Sequence, residues 1–348
     1  MIRVGIIGAA GYAGAELIRY LSLNPHARIT MLVSDSSDGK PISEAYPSFL
    51  GLELPLCEKY SIERVRSECD FVFTVRGNGG AMAIARELLD AGLKMIDVPA
   101  DFRLKDPAEF QKFYKIPHTE PELLAEAVYA VPELHREEIR KARLVANPGC
   151  YATCSILSLA PLAAGGYIDL KSVIVDAASG VSGAGRSKLS VPGLYAETNE
   201  GFKAYGVTTH RHTPEIEQEL RVLSGREAVI SFTPHLAPMN RGILATCYAT
   251  YTGKTLTTEE LREIYADFYR DARFVQVLPA GEQPVTKAVS GTNYCHIGVA
   301  SDMRCNRCIV TGAIDNMGKG AAGQAMQNFN LMNGLDEAAG LIMPAVYP

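Results

Sequence analysis

The sequence predicts an α/β protein with two domains: an N-terminal doubly wound, Rossmann-like domain and a C-terminal α+β domain built on a mixed or antiparallel sheet. Strand and helix patterns alternate over the first hundred residues, as they do in doubly wound parallel sheets. After about residue 150, strand patterns follow one another with fewer helices between them, which is typical of sheets with helices on one face.

The elements follow in order along the chain. RVGIIG predicts a strand, AGAELIRYLSLN a helix and ARITMLVS a second strand; CDFVFTV, GAMAIARELLDAG and KMIDVPA continue the alternation. The later strand patterns are KSVIVDAAS, AVISFTPHLA, GILATCYATYTG and CHIGVASDMRCNRCIVTGAI. We expect the last helix, in KGAAGQAMQNFNLM, to return to the first domain. The predicted domains are therefore 1–149, completed by 316–348, and 150–315.

Composition narrows the class of protein. The 348 residues are 47% hydrophobic and 21% charged, with a net charge of −5, which is ordinary for a soluble globular chain. Without a basic block or a long apolar run, neither nucleic acid nor membrane is an expected partner. The N-terminus shows no signal pattern, so we expect a cytoplasmic protein. Cys305 and Cys308 form an isolated CxxC pair, so no metal site is predicted.

Three glycines lie between the first strand and the first helix: Gly8, Gly11 and Gly14. Glycine lets the backbone approach a pyrophosphate, and the helix N-terminus favours its charge, so the motif predicts dinucleotide binding. Asp35 stands about where an acidic residue holds the ribose 2′-hydroxyl of NAD. Small and basic residues that suit a 2′-phosphate surround it: Ser34, Ser36, Ser37 and Lys40. The pattern alone does not decide between NAD and NADP.

A cysteine follows Asn-Pro-Gly and precedes a long helix pattern in VANPGCYATCSILSLAPLAAGG. Proline and glycine place Cys150 at the first turn of that helix. Unpaired N–H groups and the helix dipole stabilise a thiolate at this position, so Cys150 is the candidate nucleophile. Cys154, one turn further along, is expected in the core.

The segment TTHRHTPEIEQEL supplies two histidines and an arginine before a predicted helix. If the segment is extended, His210 and His212 project to one face and Arg211 to the other. The histidines suit acid–base work and the arginine suits a carboxylate, and the sequence leaves open which histidine moves the proton.

Two loops are candidate substrate contacts. ASGVSGAGRS contains Ser179, Ser182 and Gly183, a run of small residues whose backbone donors can wrap a phosphate or an amide. PADFRL places Arg103 just past a strand, where anionic ligands bind in doubly wound folds.

With these motifs, the chain resembles the N-acetyl-gamma-glutamyl-phosphate reductases of arginine biosynthesis, relatives of the aspartate-semialdehyde dehydrogenases. The resemblance covers nearly the whole chain through GAAGYAG (8–14), DFRL (101–104), NPGCYAT (147–153), SGVSGAGR (179–186), HRHTPEI (210–216), TPHLAPMNRGI (233–243) and KGAAGQAMQN (319–328).

The resemblance implies NADPH-dependent reduction of a small acyl phosphate to a semialdehyde through a thioester on Cys150. It also implies a homodimer or homotetramer, with His212 and His210 as the acid–base pair. The implied substrate-binding residues are Arg103, Ser179, Ser182, Gly183, Arg186, Arg211 and Glu215. The implied cofactor-binding residues are Gly8, Gly11, Tyr12, Ala13, Gly14, Ser34, Ser36, Arg76, Gly183, Asn316 and Gly320.

The chain departs from the family pattern at one loop and in one residue type. A Pro-His-Gly type loop is usual after the third strand, and here the loop reads TVRGNGG (74–80), so we expect Arg76 and Asn78 to meet the cofactor differently. The chain also has no tryptophan, including in KFYKIPH, where the family often carries one near the substrate loop.

Three alternatives remain open. They are a reductase of a carrier-protein-linked aminoadipyl or glutamyl phosphate, a dehydrogenase with direct hydride transfer and no covalent intermediate, and a cofactor-sensing regulatory protein without turnover.

Overall fold

A computed structural model describes residues 1–186 and 194–347. Residues 187–193, inside the predicted second domain, and residue 348 lie outside the described part. The chain forms two compact units. The first contains Met1–Pro148, a short stretch around Arg186, and Ala321–Ile342, and the second contains Gly149–Ala184, the described residues up to Gly320, and those from Met343 onward. The boundaries at 149 and 316 remain predictions.

The first unit is a parallel sheet with helices between its strands. Its strands are β1 (Ile2–Ile7), β2 (Ala27–Val33), β3 (Cys57–Glu58), β4 (Phe71–Thr74), β5 (Lys94–Asp97), β6 (Val128–Tyr129) and β7 (Leu144–Ala146). Its helices before residue 148 are α1 (Tyr12–Leu21), α2 (Ile62–Glu68), α3 (Met82–Asp90), α4 (Pro107–Tyr114), α5 (Pro121–Glu126) and α6 (Pro132–Lys141).

Every strand pair described in this sheet is parallel, in the order β3-β2-β1-β4-β5-β7-β6. The order reverses direction at β1, since β2 lies on one side of it and β4 on the other. The loops that follow β1, β2 and β4 therefore meet at one edge, the switch point where doubly wound sheets bind ligands. The predicted fold class of this unit is confirmed.

The second unit is built on a mixed sheet. Its elements are α7 (Cys150–Ala164), β8 (Ile174–Ser179), α8 (Tyr195–Thr198), β9 (Lys203–Ala204), α9 (Thr213–Ser224), β10 (Ser231–Leu236), β11 (Ile243–Thr250), α10 (Thr258–Phe268), β12 (Val275–Val277), β13 (Cys295–Asp302) and β14 (Arg307–Ile314).

Its strand order is β12-β13-β14-β11-β8-β10-β9. The central strands β8, β11, β14 and β13 pair antiparallel, whereas β10 lies parallel to β8 and β12 parallel to β13. Side chains along β11 alternate between buried and half-buried, and the almost wholly buried α7 packs against β11 and β14. This half was predicted to contain a mixed or antiparallel sheet; that prediction is confirmed, and the sheet is mixed.

The chain returns to the first unit as α11 (Gly323–Met332), after a π-helical turn at Gly318–Ala322. Every residue of α11 is buried. Its Phe329 ring lies 4.8 Å from that of Phe71 and 5.7 Å from that of Phe73 on β4. A helix that is buried all round needs contacts on every side, so α11 forms part of the core of the first unit.

Two features are absent from the described residues. No helix in this part of the chain is long and apolar enough to cross a membrane. Within residues 1–186 and 194–347, no group of three or more His, Cys, Asp or Glu side chains is arranged to hold a metal ion.

Candidate active site

The site in the second unit begins at Cys150, the first residue of the 15-residue helix α7. Gly149 is its N-cap, with φ −70° and ψ 149°, and provides no side chain to cap the helix. The backbone N–H of Gly149 donates instead to Oε1 of Glu215 at 3.0 Å. Cys150 is half-buried, whereas the residues from Tyr151 to Ala163 are buried. The thiol therefore lies at the positive end of a buried helix and stays accessible.

A carboxylate connects this helix start to a histidine. Glu215 is fully buried, and its Oε2 lies 3.7 Å from Nε2 of His212, the N-cap of α9. The His212 ring packs directly on Gly149, where an added Cβ would lie 2.3 Å from Nε2. Only a glycine at position 149 lets the imidazole come this close to the backbone next to Cys150.

His210 occupies a different environment. The segment before α9 is a turn and is not extended, and the backbone N–H of His212 donates to Nδ1 of His210 at 3.1 Å. The His210 ring makes edge contacts with the rings of Tyr151, Tyr205 and Phe232 at 5.2–5.6 Å. Burial, and then the charge of Arg211, lower the pKa of His210 to about 4. His210 is therefore neutral near pH 7 and supports the backbone of His212.

A loop after β14 packs against the cysteine. An added Cβ on Gly320 would lie 2.7 Å from Cβ of Cys150. The carbonyl of Asp315 accepts from the Gly320 N–H at 2.9 Å, and its buried carboxylate accepts from Met317 and Gly318. Arg241 also donates to this carboxylate from Nε at 2.9 Å. Asp315 therefore holds the loop in place. It was not predicted as a functional residue from the sequence, although its position directly after a strand could have indicated a role.

The small-residue loop after β8 is fixed by hydrogen bonds. Ser182 Oγ donates to the carbonyl of Asn240 at 2.6 Å and accepts from Nδ2 of Asn316 at 2.9 Å. Oδ1 of Asn316 accepts from the Gly242 N–H at 2.8 Å. Gly183 lies nearby, with its Cβ position 3.7 Å from Nδ2 of Asn316. The structure thus brings together Ser182, Gly183 and Asn316, which the sequence had assigned to substrate and cofactor.

The glycine-rich loop of the first unit fits a pyrophosphate. Gly8 has φ +104°, and its Cβ position lies 2.7 Å from the carbonyl oxygen of Val75, so a side chain is excluded there. A Cβ on Gly14 would lie 2.5 Å from the carbonyl oxygen of Ala9. An added Cβ on Gly11, the N-cap of α1, would have only the carbonyl oxygen of Gly8 within 4 Å, at 3.6 Å, so the space beside this residue at the helix N-terminus is open. Tyr12 and Ala13 form the first turn of α1 and contribute N–H groups there.

Two arginines assigned to the substrate make other contacts. Arg103 is buried, and its Nε and Nη2 donate to the carbonyls of Asn147 and Val98, each at 2.8 Å. Arg186 belongs to the first unit; its Nη1 donates to the carbonyl of Ala10 at 3.3 Å, and its Cζ lies 4.8 Å from the centre of the Tyr46 ring. Arg103 therefore connects two backbone segments, and Arg186 lies beside the glycine-rich loop. Both sets of contacts depend on the fold, so a short sequence motif does not reveal them.

The chain is similar to known proteins in both units. Residues 3–142 match the semialdehyde dehydrogenase NAD binding domain, and residues 150–316 match the semialdehyde dehydrogenase dimerisation domain. N-acetyl-gamma-glutamyl-phosphate reductases of Desulforamulus reducens and Desulforudis audaxviator are 52% and 51% identical to the chain, each over the full length of both proteins.

The chain belongs to the N-acetyl-gamma-glutamyl-phosphate reductase family. The match to a dimerisation domain supports an oligomer. The fold also resembles aspartate semialdehyde dehydrogenase II of Vibrio cholerae, at 16% identity and a TM-score of 0.71, covering 96% of this chain and 98% of that one. The enzyme of Candida albicans, solved with NADP, is 17% identical with a TM-score of 0.71 and the same coverage.

Within this N-acetyl-gamma-glutamyl-phosphate reductase fold, His210 should make stability depend on pH. The pKa of about 4 lies below that of a solvated histidine, so the unfolded chain takes up a proton first as the pH falls. Because of His210, the free energy of unfolding should therefore fall by about 2 kcal/mol when the pH is lowered from 7 to 5. Urea unfolding at both pH values should show that His210→Gln removes most of this loss. The exposed His26→Gln variant is the control, and an unchanged pH dependence in His210→Gln would contradict the prediction.

Gly320→Ala should displace the cysteine. The new Cβ would meet Cβ of Cys150 at 2.7 Å and the carbonyl oxygen of Asp315 at 3.2 Å, so the backbone on one side must move. We expect a stability loss of about 1–3 kcal/mol and a fall in kcat of about tenfold or more. Gly253→Ala is the matched control, since its Cβ position has no atom within 4 Å. Equal kcat values for the two variants would show that the contact with Cys150 is unimportant.

Proposed function

We propose that the protein catalyses the NADPH-dependent reduction of N-acetyl-glutamyl 5-phosphate to N-acetyl-glutamate 5-semialdehyde, with release of phosphate, in arginine biosynthesis. The observation that carries this proposal is the half-buried Cys150 at the start of α7, next to the Gly149–Glu215–His212 contacts. The full-length similarity to N-acetyl-gamma-glutamyl-phosphate reductases supports this substrate over a carrier-linked one.

Cys150 supplies the nucleophile. Its thiolate forms a C–S bond to the acyl carbon, and the C–O bond to phosphate breaks, so phosphate leaves with the electron pair and a thioester remains. Backbone N–H groups in the first turn of α7 are available to stabilise the oxyanion. When bound, NADPH would supply the hydride for reduction of the thioester carbon.

His212 is the proposed acid–base group. It donates a proton to the oxygen of the reduced, Cys150-linked adduct and takes it back when the C–S bond breaks, which releases the semialdehyde and restores the thiolate. Glu215 positions the imidazole and stabilises the imidazolium that forms. Arg211 remains a proposed contact for the substrate carboxylate, and Ser179, Ser182 and Gly183 remain proposed substrate contacts.

The cofactor contacts remain proposals. The glycine-rich loop and the N-terminus of α1 would hold the pyrophosphate, and the space beside Gly11 supports this assignment. Asn316, Gly183 and Gly320 are the proposed contacts on the nicotinamide side. Arg186, beside Ala10, is reassigned from the substrate to this group.

We also propose a homodimer or homotetramer that works in the cytoplasm. All eight cysteines fall in the described residues and are free thiols, which fits a reducing compartment. The half-buried faces of the sheet in the second unit suit association with a second copy.

The reverse reaction tests the proposal. Purified protein is mixed with N-acetyl-glutamate semialdehyde and NADP, and cofactor reduction is followed with and without inorganic phosphate. Strictly phosphate-dependent reduction supports the acyl-phosphate chemistry and the substrate. Phosphate-independent reduction would point to direct hydride transfer, and no reduction would favour a carrier-linked substrate or a cofactor sensor.

A further inference from the structure

Two buried aspartates lie at the end of β5 in the first unit, and the proposed mechanism uses neither of them. Asp97 is the last residue of β5, Asp101 lies four residues later, and both are fully buried. Oδ1 of Asp97 accepts from the Thr74 hydroxyl, and its Oδ2 accepts from the Asp101 N–H, each at 3.0 Å. Burial, and then the charge of Asp101, raise the pKa of Asp97 to about 8. Asp101 is therefore the ionised member of the pair near pH 7.

The Asp101 carboxylate closes the N-terminus of α3. Its Oδ1 accepts from the Gly79 N–H at 2.7 Å, and its Oδ2 accepts from the N–H groups of Ala81 and Met82 at 2.9 and 3.1 Å. The N-cap of α3 is Ala81, whose side chain makes no capping bond, so Asp101 supplies the cap from another loop. The same bonds hold the segment that joins β4 to α3 (residues 75–81), here called the β4–α3 loop.

The backbone of Asp101 is held on both sides. Its N–H donates to Asp97, and its carbonyl accepts from Nε2 of His118 at 2.7 Å. Nδ1 of His118 accepts from the Glu120 N–H at 3.1 Å, so the proton of the neutral ring lies on Nε2. The ring also lies edge-on to that of Phe110 at 5.1 Å. These contacts fix the direction in which the Asp101 carboxylate points.

The β4–α3 loop packs against the glycine-rich loop. An added Cβ on Gly8 would lie 2.7 Å from the carbonyl oxygen of Val75, so the two loops are in direct contact. Further along the β4–α3 loop, the Gly80 N–H donates to the carbonyl of Gly77 at 2.9 Å and closes a turn. Asp101 holds this turn, so a displacement of its carboxylate would be transmitted to the glycine-rich loop.

The helices α1 and α3 both start at the edge of the sheet where β1 and β4 end. A helix N-terminus at this edge can bind an anion. At α1 the N-cap is Gly11, which has no side chain, and the first turn holds no acidic residue. At α3 the carboxylate of Asp101 already occupies the N–H groups. A negatively charged ligand is therefore directed to α1.

We propose that Asp101 is a positioning residue for the cofactor, which holds the β4–α3 loop against the glycine-rich loop and keeps the N-terminus of α3 closed. The proposal rests on the proposed function as an NADPH-dependent reductase. Asp101 acts through the backbone of the β4–α3 loop. Loss of its carboxylate would leave buried N–H groups without their acceptor and let the loop move, so NADPH would have to order the loop when it binds.

The test is NADPH binding by the full-length protein, followed by the fluorescence of the reduced nicotinamide. Asp101→Asn removes the charge and one acceptor oxygen, and the Kd for NADPH should rise by about tenfold. Because bound cofactor orders the loop again, kcat at saturating NADPH should stay within about threefold of the parent value. Amide hydrogen exchange should become faster in residues 77–84 and stay unchanged in β1 and β5.

Thr74→Val is a milder second variant. It keeps the shape of the side chain and removes the hydroxyl that donates to Asp97, so the Kd for NADPH should rise by about threefold. Asp106→Asn is the matched control. Asp106 caps α4 by accepting from the Ala108 N–H at 2.8 Å, so this change removes a carboxylate cap from another helix of the same unit. Its Kd for NADPH should stay within about twofold of the parent value.

Three results would overturn the assignment. They are an unchanged Kd for NADPH in Asp101→Asn, an equal rise in Kd in Asp106→Asn, and faster amide exchange in Asp101→Asn without a change in Kd. If Asp101→Asn does not fold, Thr74→Val decides, and an unchanged Kd in that variant overturns the assignment. A parent protein that binds NADPH but never reduces NADP with semialdehyde and phosphate would overturn the proposed function and leave the assignment of Asp101 standing.

Discussion

Cys150→Ala should abolish turnover while leaving NADPH binding intact. The thiolate is the proposed atom that bonds to the acyl carbon, and no neighbouring side chain on the first turn of α7 offers a second nucleophile in its place: Tyr151, Ala152 and Thr153 are buried. We expect kcat to fall by at least about four orders of magnitude, as for loss of a covalent nucleophile. The measurement is the phosphate-dependent reduction of NADP, together with the Kd for NADPH by fluorescence.

A matched control for this variant is Cys305→Ala. Cys305 is an exposed thiol at the turn between β13 and β14, so its loss should change neither kcat nor stability. Cys154 is unsuitable as a control, because it is fully buried and a smaller side chain there would leave a cavity. Residual turnover of Cys150→Ala above a tenth of the parent rate would exclude the covalent route.

The parts of the site that were predictable from sequence are local. A turn between one strand and one helix determines the positions of Gly8, Gly11 and Gly14, and a helix start after Pro-Gly determines that of Cys150. A short sequence pattern is therefore enough to predict each of these positions. The alternation of strands and helices likewise determines the parallel sheet. In such cases the residues that decide the structure are neighbours in the chain.

The rest depends on contacts between distant residues. Arg186 contacts Ala10, 176 positions earlier, and Arg103 donates to Asn147, 44 positions later, so no motif around either arginine reveals its partner. The difference between His210 and His212 is also tertiary. One ring is enclosed by aromatic residues from other segments, and the other lies against Gly149. The prediction of a mixed or antiparallel sheet also left open that β8 pairs parallel with β10, since strand patterns do not specify direction.

His212→Asn should reduce kcat much more than His210→Asn. His212 has its Nε2 against Gly149 and 3.7 Å from the Glu215 carboxylate, so its imidazole can exchange a proton at the helix start that carries the cysteine. We expect a loss in kcat of about 10²–10⁴ for His212→Asn, with KM little changed. The lowered pKa of His210, about 4, keeps that ring neutral in the assay range, so His210→Asn should act only through the backbone of His212. The pH dependence of kcat distinguishes the two variants. Only His212→Asn should lose the part of the profile that reflects titration of the acid–base group.

Glu215→Gln separates positioning from charge. A glutamine oxygen can still accept from the Gly149 N–H, but the group no longer carries a charge to stabilise an imidazolium at His212. We expect about a 10–100-fold fall in kcat with no large loss of stability, and little further effect of Glu215→Gln when His212 is already replaced. Additive losses in the double variant would mean that Glu215 acts independently of His212. A larger loss for His210→Asn than for His212→Asn would instead assign the proton transfer to the enclosed ring, and the carboxylate would then serve only to cap α7 through Gly149.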